Sequence, residues 1–552
     1  MFTIKVKNNE KKYNNKISLY DISKDFSDLY NDIILLANVN NKIYELSKNI
    51  DSDQEIDFIS FDEKYGRDAY ILTAEFILLK IIKDMFYKNT KEFNFILKFH
   101  INNGYYYEFT DNTTLNENDI QSIIKKFNEI VNANLKISRK FLNVDDAKKL
   151  FEENKFFDKS LLLKYCLKSS ILIYYLDDFF GFFVGNLLYD TSYIKKFKIE
   201  LYKNGLVMSF PKSLKNDYDY KFKPLQNLYT IQNESQEFSK RLNINTVGLL
   251  NKAIAKNEMD DLIILQESYQ EKTIGDIAIQ IFNSNKNVVF IAGPSSSGKT
   301  TFSHRLSYHL KALGLNPHPI ACDNFFVDRE KSPKDKFGNY NFETLQSLNI
   351  PLFNDTINNL LEGKEVEIPR YNFITGKTEF IGNFLKIGKD DILIIEGIHC
   401  LNNKLHSMID DSNKFKIYIS AITQLSIDST NRISTSDLRL IRRIIRDNKT
   451  RGHNAVKTIK GWDNVRIGEE NNIFPFQENA DVMFNSSLIY ELSILKSYVE
   501  PLLFDIQDDL KEKITANRLL EFLSYFLPVH SDAIPKYSII REFIGDSVLD
   551  VF

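Results

Sequence analysis

A short apolar run, Val288-Val289-Phe290-Ile291-Ala292, opens onto Gly293-Pro294-Ser295-Ser296-Ser297-Gly298-Lys299-Thr300. Apolar residues then recur at helical spacing as Phe302, Leu306, Leu310 and Leu313. The order is therefore buried strand, glycine-flanked loop, helix, and the loop fits G-x-x-x-x-G-K-[ST]. Such a loop turns its backbone N–H groups inward at the positive end of a helix, an arrangement that holds phosphate. Gly293, Ser295, Ser296, Ser297, Gly298 and Thr301 then line a nucleoside triphosphate such as ATP. Lys299 reaches its β- and γ-phosphates, and the Thr300 hydroxyl sits on Mg²⁺. A strand feeding such a loop belongs to an α/β fold with a doubly wound parallel sheet.

At 552 residues the chain is too long for one ordinary domain, and an apolar fraction of 43% supplies ample core. The net charge of −3 gives no global argument for nucleic acid or an anionic membrane surface. Cys166, Cys322 and Cys400 show no paired spacing, which argues against a disulfide framework or a cysteine zinc site and fits a reducing cytoplasm. Residues 1–7 alternate like a strand and lack a signal-peptide core. Residues 170–189 are aromatic but interrupted by Asp177 and Asp178, so a buried core is expected there and no membrane span. A homo-oligomer is left open.

The first 60 or so residues combine strand-like pieces at 2–6 and 57–61 with a helical pattern near 25–34, which suggests a small β-grasp module. A helix is expected over 68–87, then a strand pair at 95–100 and 105–109 turning at Asn102-Asn103-Gly104, then a helix over 116–135. This order, with Gly104-Tyr105-Tyr106-Tyr107-Glu108-Phe109 and Asp145-Asp146-Ala147-Lys148-Lys149-Leu150-Phe151, resembles the N-terminal and editing-domain region of threonyl-tRNA synthetases over about residues 1–210. That family's H-x-x-x-H and C-x-x-x-H metal pairs align near Leu72 and Phe76 and near Phe183 and Leu187, all apolar here. Independently, His100 and Cys166 are the only His or Cys residues before residue 300, too few for a three-ligand His/Cys zinc site. Residues 211–283, with helical patterns at 245–256 and 260–282, read as a connector.

Beyond the loop, Pro319-Ile320-Ala321-Cys322 reads as a strand ending in Asp323. A carboxylate at that sheet edge can accept the proton of an attacking hydroxyl and stand on the Mg²⁺ side, or merely cap a turn. Asp391 to Ile395 is another apolar strand, and Glu396 at its end is either the second Mg²⁺-side carboxylate or a solvated strand end. The most basic helix follows. Arg439, Arg443 and Arg446 share one face, and Arg451-Gly452-His453 end it. It suits a lid that stabilises charge on a transferred phosphoryl group, or a solvated basic face.

Taken in order, these pieces resemble the uridine kinase and phosphoribulokinase family over about residues 286–500. The further matching pieces are Asp323-Asn324-Phe325-Phe326, Asn341-Phe342-Glu343, Leu361-Glu362-Gly363-Lys364, Pro369-Arg370-Tyr371 and Glu396-Gly397-Ile398. The resemblance implies Asp323 as general base, Thr300, Glu396 and Asp323 around Mg²⁺, and Arg443, Arg446 and Arg451 as the catalytic lid with Lys299. It also implies Phe326, Phe342, Glu343, Tyr371 and Arg443 around the acceptor, with Glu343 on ribose hydroxyls and Tyr371 near the base. The family's base-reading His is Gly376 here, its last lid Arg is His453, and its ribose Asp is Glu343. The expected function is ATP- and Mg²⁺-dependent phosphorylation of a nucleoside 5′-hydroxyl. A nucleotide-dependent RNA- or tRNA-binding regulator and a kinase of a non-nucleoside alcohol are the alternatives. The expected domains are 1–62 (β-grasp), 63–210 (synthetase-editing-like α+β), 211–283 (connector), 284–500 (kinase) and 501–552 (helical extension).

Overall fold

The computed structural model describes residues 1–550 except 89–92, 112, 216–221, 335–337 and 339. Its functional half is built on a five-stranded sheet of order Asn316–Ala321, Asp391–Glu396, Val288–Ala292, Lys414–Ser420, Val482–Asn485, and every pairing in it is parallel. Val288–Ala292 is buried at all five positions, which is why its sequence does not alternate. One face, with Val289, Ile291, Ile394 and Ile417, packs on Ile277, Phe302, Leu306 and Leu440. The other, with Phe290, Leu393 and Ile395, packs on Phe353, Ile357 and Leu360 of helix Ile350–Leu361. Helices thus cover both faces. From Val288–Ala292 the chain goes first to the Asn316–Ala321 edge and later to the Lys414–Ser420 side. The crevice at the strands' carboxyl ends therefore opens at the loop.

The N-terminal residues form a mixed sheet of order Asn9–Tyr13, Phe2–Val6, Gln54–Ser60, Ile34–Val39, Lys42–Glu45, with Phe2–Val6 and Gln54–Ser60 parallel at its centre. The helix expected near 25–34 lies instead at Leu19–Asp25. Ser18 caps it by accepting the Asp21 N–H at 3.1 Å, and the apolar Ile34-Leu35-Leu36-Ala37 enters the sheet. Local periodicity lost there to burial in the sheet. The long helix runs Lys64–Phe86, the hairpin is Phe95–Ile101 with Gly104–Phe109, and Asn116 starts helix Glu117–Asn132 with a capping box. The aromatic segment at 170–189 opens with a hairpin, Ser170–Leu176 with Phe179–Gly181, turning at Asp177-Asp178. Among the described residues no helix is long and apolar enough to cross a membrane.

Leu72, Phe76, Phe183 and Leu187 come together. The Phe76 and Phe183 rings lie 5.4 Å apart, a Cβ on Gly185 would stand 2.6 Å from Leu72 Cδ1, and Leu187 is buried. Side chains without metal-binding atoms fill this pocket. Purified protein is expected to carry no stoichiometric zinc by elemental analysis. About one tightly bound zinc per chain would contradict this packing.

The connector contains Val247–Ala255 and Met259–Ser284, as expected, and also helix Gln226–Arg241. That helix escapes an apolar-period reading because much of its buried face is polar: Gln232, Ser235, Gln236 and Ser239. Gln232 donates to His100 O at 3.1 Å, while its buried Oε1 has no partner among the described residues. The two halves of the molecule are bolted together by a buried Lys159–Asp428 ion pair at 2.8 Å. Asn431 adds to the join, donating to Phe182 O at 2.9 Å and accepting the Val184 N–H at 2.8 Å.

Candidate active site

The loop's two glycines are dictated by close approach. A Cβ on Gly293 would stand 2.1 Å from Ile419 O, and Gly298 has φ +84°, where side chains are strained. Lys299 Nζ donates to Gly293 O at 2.9 Å and Pro294 O at 3.2 Å, so the ammonium folds over its own loop. Thr300 donates to Glu396 Oε1 at 3.2 Å. Thr301 is buried and donates to Glu542 Oε2 at 2.8 Å. The Ser296 and Ser297 hydroxyls are buried with no partner among the described residues.

Two arginines hold the loop from behind. Arg439, expected on one lid-forming face with Arg443 and Arg446, is 1% exposed; it pairs with Glu469 through both terminal nitrogens and donates to Ser295 O at 3.1 Å. Glu469 in turn accepts the Ser295 N–H at 3.2 Å. Arg442, fully buried, pairs with Glu491 and donates to Ser296 O at 3.2 Å and Ser486 O at 2.9 Å. Sequence reading missed Glu469, Arg442 and Glu491. No local pattern marks them, because the two pairs join residues 30 and 49 positions apart in the chain. Removing one partner strands a buried charge, so Glu491→Ala is expected to cost about 3 kcal/mol of unfolding free energy. A urea midpoint unchanged from wild type would contradict the burial of this pair.

Asp323 lies in the turn Cys322–Phe325 just beyond Asn316–Ala321. Ala321 and Ile291 both pair in register with Glu396, so two acids and the loop meet at neighbouring strand ends. Asp323 reaches solvent through the cleft, yet the surrounding protein raises its pKa, opposed by Lys299 and Arg451. Burial pushes Glu396 up to about 7, helped by Glu542 and Asp323 and opposed by Lys299 and Thr300. Its Oε2 is buried without a partner among the described residues. Burial also raises Glu343, against the pull of Arg443. Glu343 packs on Gly468, where a Cβ would stand 2.7 Å from its own.

Helix Thr435–Arg451 presents Arg443, Arg446 and Arg451 around Asp447, at 3.3, 2.8 and 3.7 Å. Burial works against the Asp447 carboxylate, but Arg446, Arg443 and Arg451 outweigh it and keep its pKa low. Arg443 also donates to Ser295 Oγ at 2.9 Å, joining this helix to the loop. Gly452, at φ +63°, ends the helix, and buried Trp462 lies 5.4 Å from the Arg439 guanidinium.

Across the cleft the Phe326 ring stands 5.4 Å from both Tyr371 and Phe342, and Tyr371 stands 5.0 Å from Phe373. Phe373 joins the expected aromatic set. Gly376 adopts φ +71°, and a Cβ there would stand 2.8 Å from Arg329 Cβ. Arg329 N–H donates to Gly376 O at 2.7 Å, and its guanidinium donates to Phe373 O. Arg329 therefore lies where a side chain at 376 would project.

Residues 288–490 match the model of the Phosphoribulokinase / Uridine kinase family. A uridine kinase of Lactobacillus helveticus is 28% identical over 204 residues, spanning 36% of this chain and 84% of that protein. A uridine kinase of Staphylococcus aureus is 29% identical over 198 residues, spanning 36% and 86%. Among solved structures, a D-glycerate 3-kinase from Cryptococcus neoformans aligns over 48% of this chain and 89% of its own, with 12% identity and a TM-score of 0.22. The chain is a phosphotransferase with an alcohol acceptor. More narrowly, residues 288–490 are a domain of the uridine kinase and phosphoribulokinase family.

Proposed function

We propose that this chain transfers the γ-phosphoryl group of ATP to the 5′-hydroxyl of a nucleoside. The observation that carries the reading is the meeting of Lys299, Thr300, Asp323 and Glu396 at adjacent parallel-strand ends under a helix rich in arginine. Lys299 and the backbone N–H groups of the loop hold the triphosphate. Thr300 Oγ1 and the unpartnered Glu396 Oε2 are hard oxygen donors that fit Mg²⁺. Among the described residues no cluster of three His, Cys, Asp or Glu side chains could hold a metal, so phosphate and water oxygens would complete the shell. When bound, the ion neutralises charge on the transferred group.

Asp323 takes the proton from the acceptor hydroxyl. Its raised pKa, offset by Lys299 and Arg451, suits a base that must let the proton go afterwards. Arg443, Arg446 and Arg451 supply positive charge to the equatorial oxygens, and Asp447 keeps the three fanned about one point. Glu343 accepts from the ribose hydroxyls, and Phe326, Phe342 and Tyr371 form the wall for the base. Since Gly376 offers no polar side chain, discrimination among bases is relaxed here, and Arg329 is the cationic group nearest that position. The same feature favours a non-nucleoside alcohol as the second reading.

For the N-terminal half, the central parallel pair and the helix Leu19–Asp25 support a β-grasp module. The apolar Leu72, Phe76, Phe183 and Leu187 cluster supports an editing-like module without metal chemistry. Three cysteines without paired spacing support cytoplasmic residence. An ATP-consumption screen over nucleosides and sugar alcohols tests the reading. Turnover with a nucleoside supports it, and turnover only with a non-nucleoside alcohol replaces it with the second reading.

A further inference from the structure

The end of the described chain returns to the phosphate loop. Every residue from Ser538 to Ile544 is buried. Ile539 lies against Gly298, where a Cβ would stand 2.6 Å from Ile539 Cγ2. Glu542 Oε2 accepts the Thr301 hydroxyl proton in a hydrogen bond of 2.8 Å. The Phe543 ring stands 4.9 Å from the Arg442 guanidinium, and Lys449 Nζ donates to Ile544 O at 2.7 Å. One short segment thus touches the loop, the helix that follows it and the helix carrying Arg443, Arg446 and Arg451. This segment lies outside the family match, which ends at residue 490.

A carboxylate is an unexpected neighbour for a loop that binds phosphate. The Thr301 hydroxyl has one proton, so its bond to Glu542 competes with one to a phosphate oxygen. Among the described residues Glu542 makes no ion pair. A buried negative charge beside the triphosphate site also repels the triphosphate far more than it would in water.

We propose that the segment Ser538–Ile544 is a built-in anionic clamp on the nucleotide site, in which Glu542 occupies Thr301 until an incoming triphosphate displaces it. The clamp opposes nucleotide binding and, through Lys449, links that displacement to the arginine helix. This inference rests on the reading that the loop binds a triphosphate.

Glu542→Gln removes the charge and lets an amide N–H donate to Thr301 Oγ1, which frees the hydroxyl proton. Calorimetry should then show ATP and inorganic tripolyphosphate binding about tenfold more tightly than to wild type, with adenosine unchanged. A purely structural Glu542 would weaken all three ligands or move none, and either result overturns the clamp. Should Glu542→Gln not fold, hydrogen exchange on the wild-type chain decides. Tripolyphosphate should speed exchange of the amides of residues 540–545, and unchanged or slower exchange overturns the proposal. Wild-type protein that binds neither ATP nor tripolyphosphate would overturn the nucleotide reading itself, and the clamp with it. Binding to wild type without the gain in Glu542→Gln overturns the clamp alone.

Discussion

Asp323→Asn is expected to lower kcat for phosphoryl transfer by ~10²–10⁴, because the amide keeps the size and hydrogen-bonding reach of the acid but cannot accept a proton. ATP affinity should move by less than about tenfold, since the phosphates are held by the loop. The alternative is that Asp323 only caps the turn Cys322–Phe325. Its backbone position allows this, but among the described residues no side-chain hydrogen bond holds the carboxyl to that turn, and Lys299 and Arg451 act on its charge. Single-turnover transfer with the identified acceptor separates the two roles. Near-normal rates in Asp323→Asn would remove the general-base assignment.

Lys299→Ala should be more damaging still, with kcat/KM falling ~10³-fold or more, because the ammonium acts where charge develops on the transferred group. Its stability cost should be small. Among the described residues Lys299 Nζ bonds only to loop carbonyls, and the loop is pinned independently by Arg439 at Ser295 O and Arg442 at Ser296 O. A melting temperature that drops as far as in Glu491→Ala would show that Lys299 is part of the scaffold. A retained activity would show that the loop does not hold the reacting phosphates.

The contrast between these residues explains what was legible in the sequence. The loop, the Asp391–Glu396 strand and the long Lys64–Phe86 helix are local: glycine spacing, an unbroken apolar run and a 3.6-residue period each suffice. Misplacement of the first helix arose where a capping serine and a sheet competed for neighbouring residues, a contest that local periodicity does not record. Arg439 and Arg443 are one turn apart on one helix, yet one is buried behind the loop and the other reaches toward it. Only the distant Glu469, which pairs with Arg439, decides which is which. Glu542 was illegible for the same reason: its meaning comes from Thr301, far away in the chain. At Gly376 the sequence showed a missing side chain, and the structure adds the reason that none fits, the Arg329 side chain across its face.

The central claim is that the crevice at the carboxyl ends of the parallel strands moves a phosphoryl group from ATP to an alcohol. Incubation with γ-labelled ATP, Mg²⁺ and a panel of nucleosides and sugar alcohols, run side by side for wild type and Lys299→Ala, tests it most directly. Label is expected in a nucleoside 5′-phosphate with wild type, and none above background with Lys299→Ala. Label transfer that is equal in the two proteins, or no transfer to any alcohol by wild type, would contradict it.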